Sequence, residues 1–358
     1  MLSNIPTAIN SVCWAFTQVK IIQKNILDIL VARTTPEIIG RVKAADARIQ
    51  FHIKPLQQSC TRATTNLGGA MTMTKELFLS EELKLSRKTR VLDVGANPLN
   101  RPPYADLLDH GQCELFGFEP QKDAFEKLQA EPKENRTYFN VAVGNGGHKT
   151  LNITSYDGFT SLFKPYRPTL RYLRRFVRHM RVVDHIGLDL VRLDDIDALP
   201  PVDLLKIDVQ GAEKDIIQSG AQKLQNCVAI ILETRFLRLY HHEPMMGEMD
   251  VFLRDLGFIL HKFIAPKSVM IRTSQDGRLR PRRAGSQLLD GDAVYIRDLS
   301  KVADISDDAL KHLAMCAASV FESYDLALSL MDTLVARGAV SDTVPERFLA
   351  YVPQELKR

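Results

Sequence analysis

The fold is decided by the stretch Arg90-Val91-Leu92-Asp93-Val94-Gly95-Ala96-Asn97. A short apolar run ends there in Asp-x-Gly-x-Asn, which predicts a β-strand that leads into a glycine turn at the carboxyl edge of a parallel sheet. Only a residue without a Cβ lets the backbone pass close to a bound ligand at such a turn. The stretch therefore predicts a ligand crevice at this edge.

A second apolar strand, Leu115 to Phe118, ends in a carboxylate. That carboxylate, Glu119, lies 26 residues after Asp93. In α/β crevices such an acid accepts hydrogen bonds from the ribose hydroxyls of a nucleoside cofactor. The glycine turn and the acid together predict an adenosine-type cofactor.

The composition describes a protein with a proper core. A chain of 358 residues, 45% of them hydrophobic, forms one large α/β domain with appendages or two domains. The net charge of +4 is small for this length. Five dispersed cysteines without a C-x-x-C motif favour reduced thiols over a disulfide framework or a zinc site.

The amino terminus lacks the pattern of a signal peptide, because no early basic cluster occurs and Lys20, Gln23 and Lys24 interrupt the apolar residues. No run of eighteen uncharged apolar residues occurs, so no transmembrane segment is expected. We therefore expect a soluble, cytoplasmic protein.

Strands and helices alternate from Lys75 onward, which predicts a doubly wound, mostly parallel, seven-stranded Rossmann-like sheet of the α/β class. The last two strands follow each other without a helix, which predicts an antiparallel edge. The predicted strands of the sheet are 90–94, 115–118, 137–143, 203–208, 228–232, 258–264 and 293–296, with 151–154 as an additional edge strand.

Helical additions are predicted at both ends of this domain. We expect residues 1–74 to be a helical extension and linker, 75–300 the α/β domain, and 301–358 a helical tail. Residues 3–33 carry apolar side chains in a 4-3 rhythm over about four heptads. A helix folded onto the domain and the seam of a homodimer are equally good interpretations of this rhythm.

The glycine turn narrows the choice of cofactor. The nicotinamide pattern G-x-G-x-x-G is absent after Gly95, and so is the phosphate-binding G-x-x-x-x-G-K-[ST]. A cofactor with ribose and adenine but without phosphate fits better, and S-adenosylmethionine is such a molecule.

At this point the sequence resembles the FkbM-type methyltransferases, which have the class I S-adenosylmethionine-dependent fold. The resemblance covers about residues 88–332 and is most specific at residues 205–213, where the family reads Lys-Ile-Asp-x-Glu/Gln-Gly-x-Glu. Asn100-Arg101 and the basic segment 164–181 depart from the pattern. The motifs that carry the resemblance are Asp93-Val94-Gly95-Ala96-Asn97, Gly117-Phe118-Glu119-Pro120, Ala142-Val143-Gly144, Thr160-Ser161-Leu162 and Leu205-Lys206-Ile207-Asp208-Val209-Gln210-Gly211-Ala212-Glu213.

Each candidate residue has a functional and a structural interpretation. We expect Gly95 and Ala96, with Asn97 in the same turn, to lie against the methionine moiety, and Asp93 to order the turn or to meet the ammonium group through water. Glu119 would bind the ribose hydroxyls. The structural alternatives are a plain strand-to-helix turn and a solvated acid.

Two further positions come from the third strand and the loop beyond it. The resemblance implies that Asn140 and Ala142, at the end of the third strand, contact the adenine; a plain core strand is the alternative. Ser161 would contact the cofactor or, by the interpretation we favour, stabilise a turn.

Asp208 is the candidate catalytic residue, because it lies at the carboxyl end of the fourth strand, where open α/β sheets present ligands. Methyl transfer to a hydroxyl requires alignment and a base, which a carboxylate can supply. The alternative is that Asp208 and Glu213 anchor the start of the next helix. Lys206, on the same side of its strand as Asp208, could be its ion partner.

Two charged segments invite further functional interpretations. Residues 164–181 predict a basic amphipathic helix that binds an anionic acceptor or an anionic membrane surface, or is merely a solvated face. No nucleic-acid partner is expected for this segment. His241-His242-Glu243 is expected to be a surface loop rather than a metal site, so no metal is expected.

The resemblance implies an O-methyltransferase that acts on a hydroxyl of a sugar or glycoconjugate. The alternative from another class is a non-catalytic binding or assembly module that dimerises through residues 3–33. A dehydrogenase is disfavoured because the second and third glycines of the nicotinamide pattern are missing.

Overall fold

The computed structural model describes residues 73–95, 101–130 and 134–358. The predicted helix of residues 3–33 lies outside the described residues, and so do Ala96 and Asn97 of the glycine turn. The proposed division of the chain into three parts stays a prediction.

Strands in the described residues form two sheets. The seven-stranded sheet has the order β3-β2-β1-β7-β8-β10-β9, and the three-stranded sheet has the order β4-β6-β5. The strands are β1 (Thr89–Val94), β2 (Cys113–Phe118), β3 (Arg136–Phe139), β4 (Ala142–Val143), β5 (Gly147–Thr154), β6 (Val182–Val191), β7 (Leu204–Ile207), β8 (Ala229–Arg235), β9 (Phe258–Val269) and β10 (Gln287–Arg297).

Helices cover both faces of the larger sheet. The α-helices of the described residues are α1 (Lys75–Glu82), α2 (Ala105–Asp109), α3 (Lys122–Gln129), α4 (Arg167–Leu173), α5 (Glu213–Ser219), α6 (Met246–Asp255), α7 (Pro281–Ala284), α8 (Asp307–Ser319), α9 (Tyr324–Ala336) and α10 (Val344–Phe348).

Alternation along the strands sends neighbouring side chains to opposite faces of the larger sheet. Val91 of β1 packs in a core with α1 and the C-terminal helices α8, α9 and α10. Leu92, the next residue, packs in a second core with α5 and α6. The strand is buried on both faces, as expected in a doubly wound sheet.

The pairing confirms the predicted seven-stranded, mostly parallel sheet with an antiparallel edge. Neighbours from β3 to β8 pair in parallel, and β10 pairs antiparallel with both β8 and β9. The chain reverses its direction of travel across the sheet between β1 and β7. Ligands of open α/β sheets bind at the carboxyl ends of the strands at such a switch point.

The three-stranded sheet was not predicted. The third strand ends at Phe139 instead of Val143, and Ala142 and Val143 pair with β6 in the small sheet. The prediction that 151–154 extends the main sheet is wrong, because these residues belong to β5 and pair with β6. Most side chains of β6 are exposed, so its sequence lacks the apolar alternation of a half-buried strand.

The prediction of one long basic helix over 164–181 is also wrong. Helix α4 spans only Arg167–Leu173, and the backbone turns left-handed at Arg174 (φ +48°) and Phe176 (φ +62°). Leu170 and Leu173 are buried, as an amphipathic helix requires. None of the helices among the described residues has the length and apolarity that crossing a membrane requires.

Candidate functional site

A cavity lies where the carboxyl ends of β1, β2 and β7 meet the small sheet. Gly95, Glu119 and Asp208 line it, one from each of these three strands. The sequence-predicted site residues at these strand ends are therefore brought together. Most of the remaining lining residues are apolar, among them Phe118, Val141, Ala142, Leu162, Leu188 and Leu190, and the other polar ones are Gln121, Asp157, Thr160 and Gln210.

Gly95 makes the turn at the end of β1 in the left-handed region, with φ +84°. Its amide donates to the carbonyl of Phe118 at 3.2 Å. A Cβ on Gly95 would lie 2.3 Å from the carbonyl oxygen of Asp208. Glycine is therefore required by the approach of two backbone segments, whatever ligand the turn binds.

Asp93 is held beneath this turn. Its side chain is buried, accepts a hydrogen bond from the Tyr104 hydroxyl, and forms an ion pair with Lys206 over 3.3 Å between Nζ and Oδ1. This geometry supports the role of ordering the turn. Lys206 thus pairs with Asp93 rather than with Asp208. Burial lowers the pKa of Lys206, but the negative charges of Asp93 and Asp208 outweigh burial and raise it.

Glu119 enters the cavity from the end of β2. Its Oε1 accepts a hydrogen bond from the amide of Gln121 at 2.8 Å, while no hydrogen bond within the described part of the chain uses Oε2. Burial raises the pKa of Glu119, and the nearby charge of Asp93 adds to the rise. One carboxylate oxygen is therefore available to a ligand.

Asn140 and Ala142, the two residues expected to contact the adenine, differ in their position relative to the cavity. Asn140 is exposed and donates to the backbone carbonyls of Glu119 (2.9 Å) and Pro120 (3.2 Å), so it braces the turn that carries Glu119. Ala142 lines the cavity together with Val141. An adenine contact is thus open to Ala142, while Asn140 is not part of the cavity wall.

Ser161 ties two loops together. Its hydroxyl donates to the carbonyl of Gln210 at 2.6 Å and accepts from the amide of Phe163 at 3.0 Å. Thr160 and Leu162, its neighbours, line the cavity instead. Ser161 therefore has the turn-stabilising geometry that we favoured.

Asp208 lines the cavity directly after β7. Its amide donates to the carbonyl of Val94 at 3.1 Å, which fixes the end of β7 against the end of β1. Burial raises the pKa of Asp208 from 3.8 to about 6, and the neighbouring carboxylate of Glu233 adds to the rise. A carboxylate with such a pKa is ionised at neutral pH and is still a useful proton acceptor.

Glu213 anchors the start of α5, as one interpretation of the sequence expected. Its Oε1 accepts hydrogen bonds from the amides of Val209 and Gly211, each at 3.1 Å. The side chain is buried, and burial raises its pKa to about 7. It does not line the cavity and is a structural residue.

A cluster of charged side chains beside Asp208 was missed in the sequence. Buried Arg235 of β8 forms ion pairs with Glu233 (2.7 Å), Glu243 (3.4 Å) and Asp290 (3.0 Å). Lys267 of β9 pairs with Glu233 at 3.2 Å and with Asp290 at 3.1 Å. The apolar run 228–232 could have suggested Glu233, because this acid follows the run directly, as Glu119 follows the run 115–118.

His241-His242-Glu243 is a loop, as expected. Both histidines are exposed, while Glu243 is buried and accepts hydrogen bonds from the amides of Leu239 and Tyr240. Across 73–95, 101–130 and 134–358, no three side chains of the metal-binding types group closely enough to hold a metal ion.

Comparison with known proteins identifies the domain around this cavity. Residues 93–260 match the family described as methyltransferase FkbM domain. No curated protein matches the chain.

Solved structures similar to this chain are distant methyltransferases. Magnesium protoporphyrin IX methyltransferase of Synechocystis PCC 6803, with bound SAM, is 11% identical (TM-score 0.31) and covers 62% of this chain and 76% of its own. Precorrin-6y C5,15-methyltransferase of Geobacter metallireducens GS-15 is 12% identical (TM-score 0.31) and covers 64% and 93%. The family match covers residues 93–260, which are similar to the methyltransferase FkbM domain, and the cofactor expected for such a domain is S-adenosylmethionine.

Proposed function

We propose that this domain binds S-adenosylmethionine in the cavity at the switch point and transfers its methyl group to a hydroxyl of a sugar or glycoconjugate. The observation that carries the proposal is the meeting of Gly95, Glu119 and Asp208 in one cavity at the carboxyl ends of three parallel strands. Ligands of open α/β sheets bind in this place.

The residues present fit an adenosine ligand. The free Oε2 of Glu119 is an acceptor for a ribose hydroxyl, and the apolar walls at Val141, Ala142 and Leu190 suit the faces of a purine. Gly95 presents backbone rather than a side chain to the cavity. Ala96 and Asn97 are proposed to contact the methionine moiety, and Asp93 supports the turn from below.

The bound cofactor would supply an activated methyl group on a sulfonium, whose sulfur takes the electron pair of the breaking carbon–sulfur bond. The acceptor oxygen forms the new bond to carbon, and Asp208 takes the proton of that hydroxyl. Alignment of the acceptor supplies most of the rate, because the sulfur needs no acid as it leaves.

The acceptor is proposed to be anionic, such as a phosphorylated or lipid-linked glycan, and the alternative is peripheral contact with an anionic membrane surface. The supporting observation is the basic segment, defined here as residues 164–181, which holds seven lysines and arginines and no acid. In the described part of the chain, none of these cations forms an ion pair. Its backbone is bonded to the loop that carries Glu243, since the amide of His241 donates to the carbonyl of Lys164 at 2.8 Å.

The same proposal includes a cytoplasmic location and a homodimer that forms through residues 3–33. It also includes the division of the chain into a helical extension and linker (1–74), the methyltransferase domain (75–300) and a helical tail (301–358). The alternative, a non-catalytic binding or assembly module, predicts that the fold is kept without cofactor binding.

Isothermal titration calorimetry with S-adenosylmethionine separates the two functions. The enzyme is expected to bind with a Kd on the order of micromolar, and Glu119→Ala is expected to weaken binding. Transfer of labelled methyl from the cofactor to phosphorylated or lipid-linked sugars then tests the acceptor class. A folded protein that shows no binding supports the assembly module and contradicts the enzyme.

A further inference from the structure

The side chain of Gln210 lies between two carboxylates from neighbouring strands. Its Nε2 donates to Asp208 Oδ1 at 2.9 Å and to Glu233 Oε2 at 2.8 Å. Both hydrogens of one amide nitrogen are therefore used, one on each acid. The candidate base and Glu233 are joined through this single group.

The oxygen of the same amide faces a cation. Arg235 Nη2 donates to Gln210 Oε1 at 2.6 Å, while the Tyr240 hydroxyl lies 3.1 Å from Oε1 and 3.0 Å from the carbonyl oxygen of Phe159, between which it shares its one hydrogen. A reversed amide would place its oxygen against two carboxylates and its nitrogen against the Arg235 guanidinium, which cannot accept a hydrogen bond. The surroundings thus permit one orientation of the Gln210 amide.

The backbone at Gln210 is held as firmly as its side chain. Its φ is +58°, a left-handed conformation that is uncommon for residues other than glycine and persists where neighbouring contacts impose it. Ser161 donates to its carbonyl, and Glu213 binds the amides of the residues on either side. The amide is therefore placed before any ligand binds.

The position of the Gln210 amide gives the two carboxylate oxygens of Asp208 different surroundings. Oδ1 is occupied by Gln210, whereas Oδ2 makes no hydrogen bond within the described part of the chain, and the residue lines the cavity. The charge of Glu233 acts on Asp208 from the other side of the amide. Burial first raises the pKa of Glu233, but Arg235 and Lys267 outweigh burial and hold it below its ordinary value, so Glu233 stays ionised.

We propose that Gln210 is a positioning residue for methyl transfer, whose amide ties Asp208 to Glu233 and leaves the second Asp208 oxygen free for the acceptor hydroxyl. This inference rests on the proposed function, in which Asp208 takes the proton. It adds that Glu233, without touching the acceptor, sets how strongly Asp208 binds that proton.

The inference is tested by titrating Asp208 in the whole protein without any acceptor. Aspartate labelled with carbon-13 at its carboxyl group is followed by NMR against pH, and Asp208→Asn identifies the signal. Glu233→Gln removes a negative charge and is expected to lower the pKa of Asp208 by about one unit. Gln210→Glu keeps the shape but brings a third acid to the pair, and is expected to raise the pKa by a similar amount.

Asp290→Asn is the matched control. It removes an equal charge from the same two cations, Arg235 and Lys267, but Asp290 has no bond to Gln210 and lies on β10, one strand farther from Asp208. Its effect on the pKa of Asp208 is expected to be less than about half that of Glu233→Gln. If the two variants shift Asp208 equally, the charges act only at long range and the bridging role of Gln210 is overturned.

Failure of the inference and failure of the proposed function have separate readouts. A wild-type protein that does not bind S-adenosylmethionine contradicts the function. Normal binding with an unchanged Asp208 titration in Glu233→Gln contradicts the role of Gln210. Circular dichroism confirms folding, and if Gln210→Glu does not fold, the comparison of Glu233→Gln with Asp290→Asn decides alone.

Discussion

Gly95 packs against the backbone of Asp208, so that a Cβ on Gly95 would come within 2.3 Å of the Asp208 carbonyl oxygen. The amide of Asp208 donates to the carbonyl of Val94 at 3.1 Å, which holds the two strand ends at this separation. The glycine turn and the candidate base are therefore one structural unit.

The first prediction concerns this contact. Gly95→Ala is expected to destabilise the protein by more than about 2 kcal/mol, because the new Cβ adds a backbone clash to an unfavourable φ. Gly111→Ala is the control, since Gly111 has φ +67° and would meet nothing within 4 Å, so it carries the conformational cost alone. Thermal unfolding measures both, and equal losses would contradict the role of the close approach.

The second prediction isolates cofactor binding at Glu119. Glu119→Gln is expected to weaken S-adenosylmethionine binding by about tenfold or more, because a neutral amide replaces a charged acceptor of the ribose hydroxyls. Folding should be retained, since an amide oxygen can still accept from Gln121. Calorimetry measures the affinity, and Glu126→Gln on the exposed face of α3 is the control. Equal affinities of all three proteins would place the ribose elsewhere.

The third prediction concerns stability and pH at Asp208. Its folded pKa of about 6 lies above the ordinary 3.8, so the folded state binds the proton more tightly than the unfolded state. This contribution is fully present below the unfolded pKa and is lost as pH rises through about 6. At alkaline pH, Asp208→Asn is therefore expected to stabilise the protein, by on the order of 1 kcal/mol, while methyl transfer falls. Denaturation at two pH values checks the sign, and a destabilised variant would contradict the raised pKa.

The fourth prediction separates shape from charge at Glu213. Glu213→Ala leaves two buried amides without an acceptor and is expected to cost about 2–4 kcal/mol. Glu213→Gln keeps the accepting oxygen and removes a charge whose burial raises the pKa to about 7. We expect it to be nearly neutral in stability above that pH, where wild-type Glu213 is ionised at a cost. Urea unfolding of the pair measures the difference, and equal losses would make the charge itself essential.

The fifth prediction tests the basic segment. Reversing the charges of Arg174 and Arg175 is expected to reduce binding to anionic acceptors or anionic liposomes by about tenfold, and the wild-type binding should weaken with salt. Reversal of the exposed Lys122 and Lys127 on α3 is the matched control. Liposome flotation and acceptor titration measure the effect; unchanged binding in the Arg174/Arg175 variant would assign the segment to a solvated face.

The larger sheet was predictable because its signals are local. Apolar runs such as 90–94 and 228–232, closed by glycines and acids, define strands, and the alternation with helices defines a parallel sheet. The three-stranded sheet was not predictable from the sequence, because the exposed strand β6 has no apolar pattern and is recognised only by its pairing with β5. The prediction of one basic helix over residues 164–181 was wrong for a similar reason. The left-handed turns at Arg174 and Phe176 carry no sequence signal such as glycine.

The order of residues alone placed a glycine and two acids at the carboxyl ends of three strands, because strand ends follow from local hydrophobic patterns and parallel strands end at one edge. Tertiary structure alone decided the partners of those acids. Lys206 faces Asp93, and Gln210 joins Asp208 to Glu233. Such pairings depend on which strands lie side by side and on the backbone turn at Gln210, and neither is encoded by any short stretch of chain.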